Sequence, residues 1–395
     1  MGKALINPFM RIGSADAAVR HQYIDVLRGV AILGVIAVHS HQNIGGLSTL
    51  VAWICNYGQV GVQLFFVASA LTLCLSASER DESSPTNFYI RRFFRIAPLY
   101  YFGIILYFVW RSGLSLYQGG QLAVPKGYTI SGIVENILFL HGFDPFNFNF
   151  VVPGGWSIAT EVSFYAIFPV MYLLLRRMSL TQFFLLIIVV AVFSFLVQYY
   201  AICHVQPHLV DREILDRVIP NDQFGYIYAL IINQINVFLI GMATFRMLNY
   251  KISAAHLALA AFLIVESCFL LNDRVYDTGF DGFAYPALSA VAFSIITIKI
   301  SGVGIPSNIV FRALIEIGKS SYSMYIIHFI VLYIVNELLF NFGVYEFVKL
   351  PEGQLVLLFV SVVTLTYYVS TLTMGYIEAP GIRMGKCFLR QMHRG

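Results

Sequence analysis

The sequence predicts an all-α, polytopic integral membrane protein with about ten transmembrane helices. Hydrophobic residues make up 58% of its 395 residues and charged residues only 12%, whereas soluble domains carry about 25% charge. The mean hydropathy is +0.74. This composition excludes a soluble enzyme, a disordered chain, a coiled coil, collagen and a small disulfide scaffold.

Ten apolar segments, each near the length of about 20 residues that a helix needs to cross a bilayer, account for this composition. They lie at approximately 24–40, 57–77, 94–111, 156–175, 181–202, 225–246, 254–271, 283–301, 314–340 and 354–376. Backbone groups in hydrocarbon must be hydrogen-bonded within the segment, so long runs without period-2 alternation are helices rather than barrel strands. The stretch 129–141 is too short to span, and it is predicted to form an interfacial or re-entrant helix.

The basic residues predict the orientation of these helices. If the N-terminus is cytosolic, the loops on the opposite side keep only six of the 25 Lys and Arg residues, namely Arg111, Lys126, Arg212, Arg217, Arg274 and Lys349. Because basic residues accumulate in cytosolic loops, we expect both termini to be cytosolic. The chain then divides into a cytosolic N-terminal segment (1–23), a transmembrane domain (24–376) and a basic cytosolic C-terminal tail (377–395).

Two classes of ligand are not expected. The net charge of +4 follows from the cytosolic excess of basic residues and gives no reason to expect nucleic acid as a partner.

The five cysteines form no C-x-x-C pair and are mostly inside apolar runs, where we expect them to be small core residues. The histidines form no ligand-spaced set with carboxylates or thiolates, so no bound metal is predicted.

Ionisable residues inside the spans are the candidates for function, because each is costly in hydrocarbon unless it faces a cavity or a partner. In the first span Arg28 and His39 are 11 residues apart. That spacing is three helical turns plus about 20°, so the two residues share one face at an axial separation of about 16 Å. A guanidinium at the cytosolic mouth suits a phosphate-bearing ligand, and a deeper imidazole suits proton transfer near neutral pH. A basic anchor and a hydrogen-bonded core histidine are the plainer interpretation.

The third span begins with three arginines. Arg91, Arg92 and Arg95 precede its apolar run, and the last two share a helical face by their i, i+3 spacing. Beside Arg28 they would form a cluster able to hold several phosphate oxygens by forked hydrogen bonds. A belt of basic side chains that reach the lipid headgroups is the alternative.

The fourth span contains a carboxyl group. Glu161 lies about one and a half turns inside the span, with Ser157 one turn before it and Tyr165 one turn after it. A carboxyl at this depth must be paired, protonated or functional. We expect it to orient His39 or to share its proton, and a polar contact between helices is the alternative.

The ninth span carries a second polar stripe. Ser321, Tyr325 and His328 fall on one side of this helix by 3.6 periodicity. Hydrogen bonding between helices explains the serine, whereas His328 suits a structural role and a functional role equally.

Six motifs, in order along nearly the whole chain, resemble those of the membrane-bound acyltransferase family 3. They are DVLRGVAILGVIAVHS, GVQLFFVASALTL, FYIRRFFRIAPLYY, WSIATEVSFYAIFP, IGKSSYSMYIIH and YIEAPGIRMGK. The family includes bacterial O-acetyltransferases of lipopolysaccharide O-antigen, peptidoglycan and Nod-factor sugars. The chain departs from the family pattern at Gln63, where an acid is usual, and at Glu161-Val162, where a tandem Glu-Glu is often seen.

The resemblance implies a multi-pass O-acyltransferase of the bacterial inner (plasma) membrane. Acyl-CoA, with acetyl as the default acyl group, would be the donor and would bind from the cytosol with its phosphates on Arg28, Arg92 and Arg95. His39 would act as general base on a hydroxyl of the acceptor, with Glu161 as the residue that orients it. The acceptor would be a glycan or a lipid-linked saccharide that is exported or displayed on the cell surface.

The resemblance also implies that Trp156, Ser157, Tyr165, Tyr325 and His328 line the path of the substrates. A covalent acyl relay through a Ser or Tyr in the core is a competing mechanism. No soluble esterase-like segment follows the last span in this sequence, so we expect the membrane domain to transfer the acyl group unaided.

A transporter or flippase of an acylated or polysaccharide precursor is the alternative function, because ionisable residues near the midplane are equally expected there. That class predicts inverted repeats and broken helices, which the sequence does not display. It also has no need of a cytosolic arginine cluster.

Overall fold

The computed structural model describes residues 21–80, 84–205, 225–272 and 280–393, and in these ranges the chain is helical with no strand. Sixteen α-helices follow one another in the described ranges: α1 (Gln22–His41), α2 (Thr49–Tyr57), α3 (Gly61–Arg80), α4 (Pro85–Gly119), α5 (Ile130–Ile137), α6 (Gly155–Arg177), α7 (Leu180–Tyr200), α8 (Gly225–Ala229), α9 (Ile231–Met247), α10 (Ala254–Asn272), α11 (Phe280–Ser301), α12 (Ile309–Lys319), α13 (Ser321–Asn341), α14 (Val344–Phe347), α15 (Pro351–Thr373) and α16 (Ala379–Met392). Ten helical stretches of this part of the chain are long and apolar enough to cross a membrane. The predicted all-α, multi-pass architecture is confirmed, and the orientation of the termini stays a prediction.

The apolar segments of the sequence correspond closely to these stretches. Six of the ten agree with the observed spans to within two residues at each end. The second span begins earlier than expected, because α2 leads into α3 through a single 3₁₀ turn at Gly58–Val60. The third span is longer than expected, since α4 continues past the apolar run at both ends.

The ninth segment was predicted as one helix over 314–340, and this boundary is wrong. The chain forms two helices there, and α13 begins only at Ser321. Ser320 between them has φ −94° and ψ 5°, which is outside the helical range. Hydropathy does not detect such a break, because a window of about 19 residues averages over it.

The tenth span does not end where its hydropathy ends. A π-helical turn at Met374–Glu378 joins α15 to α16, so the predicted basic tail is a helix over most of its length. α16 packs on α4, where Gly381 and Gly385 lie against Phe94. π turns of this kind are rare and often mark functional sites.

α1 lies at the centre of the bundle and carries both Arg28 and His39. It packs against α3, α12, α13 and α15. Its contact with α12 is closest at two glycines: a Cβ on Gly29 would lie 2.3 Å from the carbonyl oxygen of Leu314, and a Cβ on Gly318 would lie 1.8 Å from that of Asp25. Only glycine permits these backbones to approach so closely, and the approach fixes the position of the end of α1 that bears Arg28.

The short segment expected near 129–141 forms a helix and a turn. α5 begins after Thr129, whose Oγ1 accepts a hydrogen bond from the amide of Gly132 at 3.0 Å. A 3₁₀ turn follows at His141–Phe143. The predicted N-terminal segment (1–23) and the stretch between the fifth and sixth predicted spans (203–224) lie largely outside the described residues.

Candidate active site

A cavity between five helices has a charged and hydroxyl-rich wall. It comprises about 720 Å³ of space that protein atoms do not fill, open solvent included, and α1, α3, α4, α6 and α13 line it. Its charged lining residues are Arg28, Arg92, Arg95 and Glu161. Its hydroxyl-bearing residues are Ser69, Thr72, Ser157, Tyr165, Ser321, Tyr322 and Tyr325. Three of the four arginines singled out in the sequence therefore meet in one space, whereas Arg91 is not part of the wall that the described residues form.

Neighbouring hydroxyl and aromatic groups orient two of these arginines. Arg28 Nη2 donates a hydrogen bond to Thr72 Oγ1 at 3.1 Å. The guanidinium carbon of Arg92 lies 5.8 Å from the ring centroid of Tyr165 and 5.7 Å from that of Phe88. Distances of this size are cation–π contacts, so the ring faces hold the guanidinium at the edge of the cavity.

Glu161 lies on the same wall as the arginines. Its Oε1 accepts hydrogen bonds from Ser69 Oγ on α3 and from Tyr165 Oη at 2.5 Å, one turn along α6. Arg28 is within electrostatic range of this carboxyl group. Two hydroxyl donors and a nearby cation meet the requirements of a carboxylate placed within a membrane span.

His39 is not part of the cavity wall formed by the described residues, and its partners differ from those of Glu161. Its Nδ1 donates to Gln42 Oε1 at 3.1 Å. Its ring centroid lies 5.5 Å from that of His328 and 4.4 Å from that of Phe329. The structure therefore gives His39 a second imidazole as its neighbour, while Glu161 stays with the arginines.

Tyr325 lies between the cavity and the two imidazoles. Its ring lines the cavity, and the ring centroid is 5.7 Å from that of His328. Its hydroxyl donates to the carbonyl of Gly154 at 3.1 Å and lies 2.8 Å from Ser157 Oγ. Gly154 has φ +76°, and a Cβ there would lie 2.8 Å from the Tyr325 hydroxyl, so this contact requires glycine.

Trp156, expected to line the substrate path, lies off the cavity wall formed by the described residues. Its ring packs at 5.3 Å from the ring centroid of Tyr228 and at 6.4 Å from that of Phe66. The buried amide of Gln63 lies in the same region and donates to Tyr228 Oη at 2.6 Å and to Gln234 Oε1 at 3.0 Å. The residue that replaces the usual acid of the family thus belongs to a network of neutral side chains.

The motif that closes the sequence contributes a carboxyl group to which the sequence assigned no role. Glu378, at the end of the π turn, is only 4% exposed. Its Oε2 accepts a hydrogen bond from Ser323 Oγ at 2.9 Å, and both Arg95 and Arg28 are within electrostatic range of it. Its position in the motif YIEAPGIRMGK was the only sequence signal that pointed to it.

A buried histidine outside the spans holds the beginning of α6. His141 Nε2 donates to the carbonyl of Gly155 at 3.0 Å and lies 3.0 Å from the hydroxyl oxygen of Tyr100. That hydroxyl in turn donates to Asn136 Oδ1 at 2.7 Å. Burial lowers the pKa of His141, which favours the neutral imidazole.

No group of three or more His, Cys, Asp or Glu side chains that could hold a metal ion occurs in the ranges 21–80, 84–205, 225–272 and 280–393.

Comparison with known proteins points to one family. The family model described as an acyltransferase domain matches residues 21–375. Over 166 aligned residues, which are 40% of this chain and 40% of the relative, the chain is 30% identical to the acyltransferase MdmB of Streptomyces mycarofaciens. It is 32% identical over 178 residues to the putative peptidoglycan O-acetyltransferase YrhL of Bacillus subtilis, covering 40% of this chain and 26% of the relative.

A third relative has a related name. The peptidoglycan O-acetyltransferase OatA of Listeria monocytogenes is 29% identical over 164 residues, covering 39% of this chain and 24% of its own length. The matched region thus spans less than half of each of these three relatives. No solved structure matches the chain.

Proposed function

The chain belongs to the acyltransferase domain family, and from this premise we propose that it is a membrane O-acyltransferase. The reaction moves an acyl group, with acetyl as the expected one, from cytosolic acyl-CoA to a hydroxyl of a cell-surface or exported glycan. The observation that carries this proposal is the meeting of Arg28 on α1 with Arg92 and Arg95 on α4 in one cavity. α1 also carries His39, about 16 Å farther along the face that bears Arg28.

The cavity is the donor half of the proposed site. Acyl-CoA carries several phosphate groups, and three guanidinium groups around one space can neutralise them and bind them by forked hydrogen bonds. Glu161 lies among these arginines and bonds to Ser69 and Tyr165. We assign Glu161 to this half, where it limits the positive charge of the empty cavity and orients the hydroxyl groups of the wall.

His39 is the general base of the proposed reaction. Because Gln42 holds its Nδ1, Nε2 is the nitrogen that can take a proton. The pantetheine arm extends from the arginines past Ser157 and Tyr325 and brings the thioester to His39. Tyr325 has to turn aside for this, because it lies between the cavity and the imidazoles.

The proposed acyl transfer needs only the two substrates and His39. His39 Nε2 removes the proton of the acceptor hydroxyl while the oxygen attacks the thioester carbonyl carbon. The carbon–sulfur bond breaks, and the proton on His39 passes to the departing thiolate, which leaves the O-acyl glycan and free CoA. General-base catalysis by a positioned imidazole contributes about 10²- to 10⁴-fold to such a step.

Two of the relatives bear names that specify peptidoglycan O-acetylation, which supports a glycan or a lipid-linked saccharide as the acceptor here. The predicted orientation places the arginines at the cytosolic face, where acyl-CoA is made. The proposed reaction needs a cytosolic donor and an exported glycan acceptor. The bacterial inner (plasma) membrane lies between the two.

The test is a reaction with purified protein in lipid nanodiscs, which expose both faces. The donor is acetyl-CoA, and the acceptor is surface glycan of the source organism from which mild alkali has removed the O-acetyl groups. We expect free CoA thiol to appear together with O-acetyl groups on the glycan, as measured by thiol titration and mass spectrometry. No thiol release, combined with glycan-precursor uptake by sealed proteoliposomes, would instead support a transporter or flippase.

A further inference from the structure

His39 and His328 form a close pair of imidazoles, and His328 has no role in the proposed chemical step. The ring centroids are 5.5 Å apart with an interplanar angle of 31°. The ring of Phe329 packs against both, at 4.4 Å from His39 and 4.1 Å from His328. His39 is partly exposed, whereas His328 is fully buried on α13.

The hydrogen bonding of His328 determines which of its nitrogens can accept. Its Nδ1 donates to the carbonyl oxygen of Tyr325 at 2.7 Å. A neutral imidazole with Nδ1 protonated carries its lone pair on Nε2. This Nε2 is buried and has no hydrogen-bond partner in the described part of the chain. Buried polar atoms are nearly always paired, so an unpaired acceptor beside a catalytic imidazole indicates a place for a donor from a ligand.

We propose that His328 binds the acceptor sugar: its Nε2 accepts a hydrogen bond from a second hydroxyl of the sugar whose reacting hydroxyl meets His39. This inference rests on the proposed function and specifies its acceptor class. The two imidazoles, whose ring centroids are 5.5 Å apart, match a ligand with two neighbouring hydroxyl groups. The site therefore selects a vicinal diol, such as a sugar ring presents, over an alcohol with one hydroxyl.

The second hydrogen bond also explains how the enzyme would discriminate against water. A single water molecule that attacks the thioester beside His39 cannot also place a second hydroxyl on His328. One hydrogen bond between neutral groups contributes about 1 kcal/mol, which corresponds to about a fivefold preference. His328 thus favours transfer to the glycan over hydrolysis of the thioester.

The test compares two substitutions of His328. An Asn amide reaches the position of Nδ1 and can keep the bond to Tyr325, but it removes the acceptor at Nε2. A Gln amide reaches the position of Nε2 and can offer its oxygen there. In the nanodisc reaction, His328→Asn should raise KM for the de-O-acetylated glycan about fivefold with KM for acetyl-CoA unchanged, and His328→Gln should restore much of this loss.

Two small alcohols serve as probes that do not depend on the identity of the glycan. The wild-type protein should acetylate trans-1,2-cyclohexanediol with a kcat/KM about tenfold above that of cyclohexanol. About twofold of this is statistical, because either hydroxyl of the diol can react, and about fivefold comes from the hydrogen bond to His328. His328→Asn should reduce this ratio to about two. Tyr107→Phe is the control, because it removes another buried hydroxyl that contacts α13, at the carbonyl of Ile326, and should leave the ratio unchanged.

The proposal is overturned if the diol preference persists in His328→Asn, or if the Asn and Gln variants lose activity toward both probes equally. The second outcome would assign His328 to packing alone, and thermal unfolding of each variant would report the lost stability. If the wild-type protein released no thiol with any acceptor, the proposed function itself would fail, which is a different result from a change in the diol ratio.

Discussion

The two halves of the candidate site differ in charge and in the number of helices that build them. The cavity wall carries three guanidinium groups and one carboxyl group and draws on five helices. The imidazole half consists of His39, His328 and Phe329, from α1 and α13 alone. The charged side chains collect around the open space, whereas the proposed proton-transfer group, His39, lies where aromatic packing fixes its ring.

This contrast indicates a division of labour. In the proposed reaction the cavity half binds a large anion, and many helices can share that task because phosphate groups tolerate some freedom of position. The imidazole half must place one nitrogen accurately against one hydroxyl, and few elements with close packing serve that purpose. Tyr325 belongs to both halves, because it lines the cavity and contacts His328.

The largest effect should come from the imidazole half. His39→Ala should lower kcat for acetyl transfer by about 10²- to 10⁴-fold, because it removes the proposed general base. KM for acetyl-CoA should stay near its wild-type value, since the arginines are untouched. Stopped assays of thiol release in nanodiscs measure both constants. Near-normal turnover by a folded His39→Ala protein would contradict the assigned role.

The second-largest effect should come from the cavity half, where a substitution should raise KM for acetyl-CoA and leave kcat nearly unchanged. Arg95→Ala should raise KM for acetyl-CoA by about tenfold or more, because a hydrogen bond to a charged group contributes about 1.5–3 kcal/mol. Arg95→Lys should recover only part of this loss, because an ammonium group lacks the planar fork. kcat at saturating acetyl-CoA should change little.

Arg91→Ala is the matched control for Arg95, since it removes an arginine one turn away on the same helix that is absent from the cavity wall formed by the described residues. We expect less than a twofold change in KM. Equal losses for Arg91→Ala and Arg95→Ala would mean that the basic belt acts through its overall charge and that the cavity is not the donor site.

The sequence predicted the cavity half better than the imidazole half, for a physical reason. Arg92 and Arg95 are neighbours on one helix, and the face that they share follows from i, i+3 spacing alone. That they meet Arg28 follows from the clustering of basic residues at one side of the membrane. Composition and periodicity likewise predicted the ten spans, because the thickness of the bilayer fixes their length.

The expected partnership of His39 and Glu161 depended on information that spacing does not contain. The depth of two residues can be estimated by counting turns, but their separation also depends on how each helix is rotated about its axis, and packing decides that rotation. The structure directs Glu161 to Ser69 and Tyr165 and His39 to Gln42. Glu378 was missed for a similar reason, since a π turn that hydropathy does not register brings it into the bundle.

The boundary between the halves offers a third and smaller effect. Tyr325→Phe removes the hydroxyl that contacts Gly154 and Ser157. One such hydrogen bond contributes about 1 kcal/mol, so the barrier between the donor cavity and His39 should weaken by about fivefold. We expect acetyl-CoA hydrolysis without acceptor to rise by about that factor relative to transfer, as measured by thiol release with and without glycan.

The same variant separates the two chemical mechanisms. If Tyr325 carried the acyl group in a covalent relay, Tyr325→Phe would abolish transfer instead of loosening it. Tyr107→Phe is the control, because the Tyr107 hydroxyl contacts α13 at the carbonyl of Ile326 and its ring is absent from the cavity wall formed by the described residues. It should change neither hydrolysis nor transfer by more than about twofold.

The smallest effect on activity should come from the packing that supports the cavity half. A Cβ on Gly29 would lie 2.3 Å from the carbonyl oxygen of Leu314, so Gly29→Ala must push α12 away from α1 beside Arg28. Overpacking of this kind costs about 1–3 kcal/mol of stability. KM for acetyl-CoA should rise about twofold while kcat stays unchanged, because His39 is about three turns away along α1.

Gly113→Ala is the matched control. Gly113 lies within α4, and no heavy atom is within 4 Å of the added Cβ, so the higher helix propensity of Ala should stabilise the protein by up to about 1 kcal/mol. Thermal unfolding and acetyl-CoA kinetics measure both variants, and a larger fall in kcat than rise in KM for Gly29→Ala would show that the two halves of the site are mechanically coupled through α1.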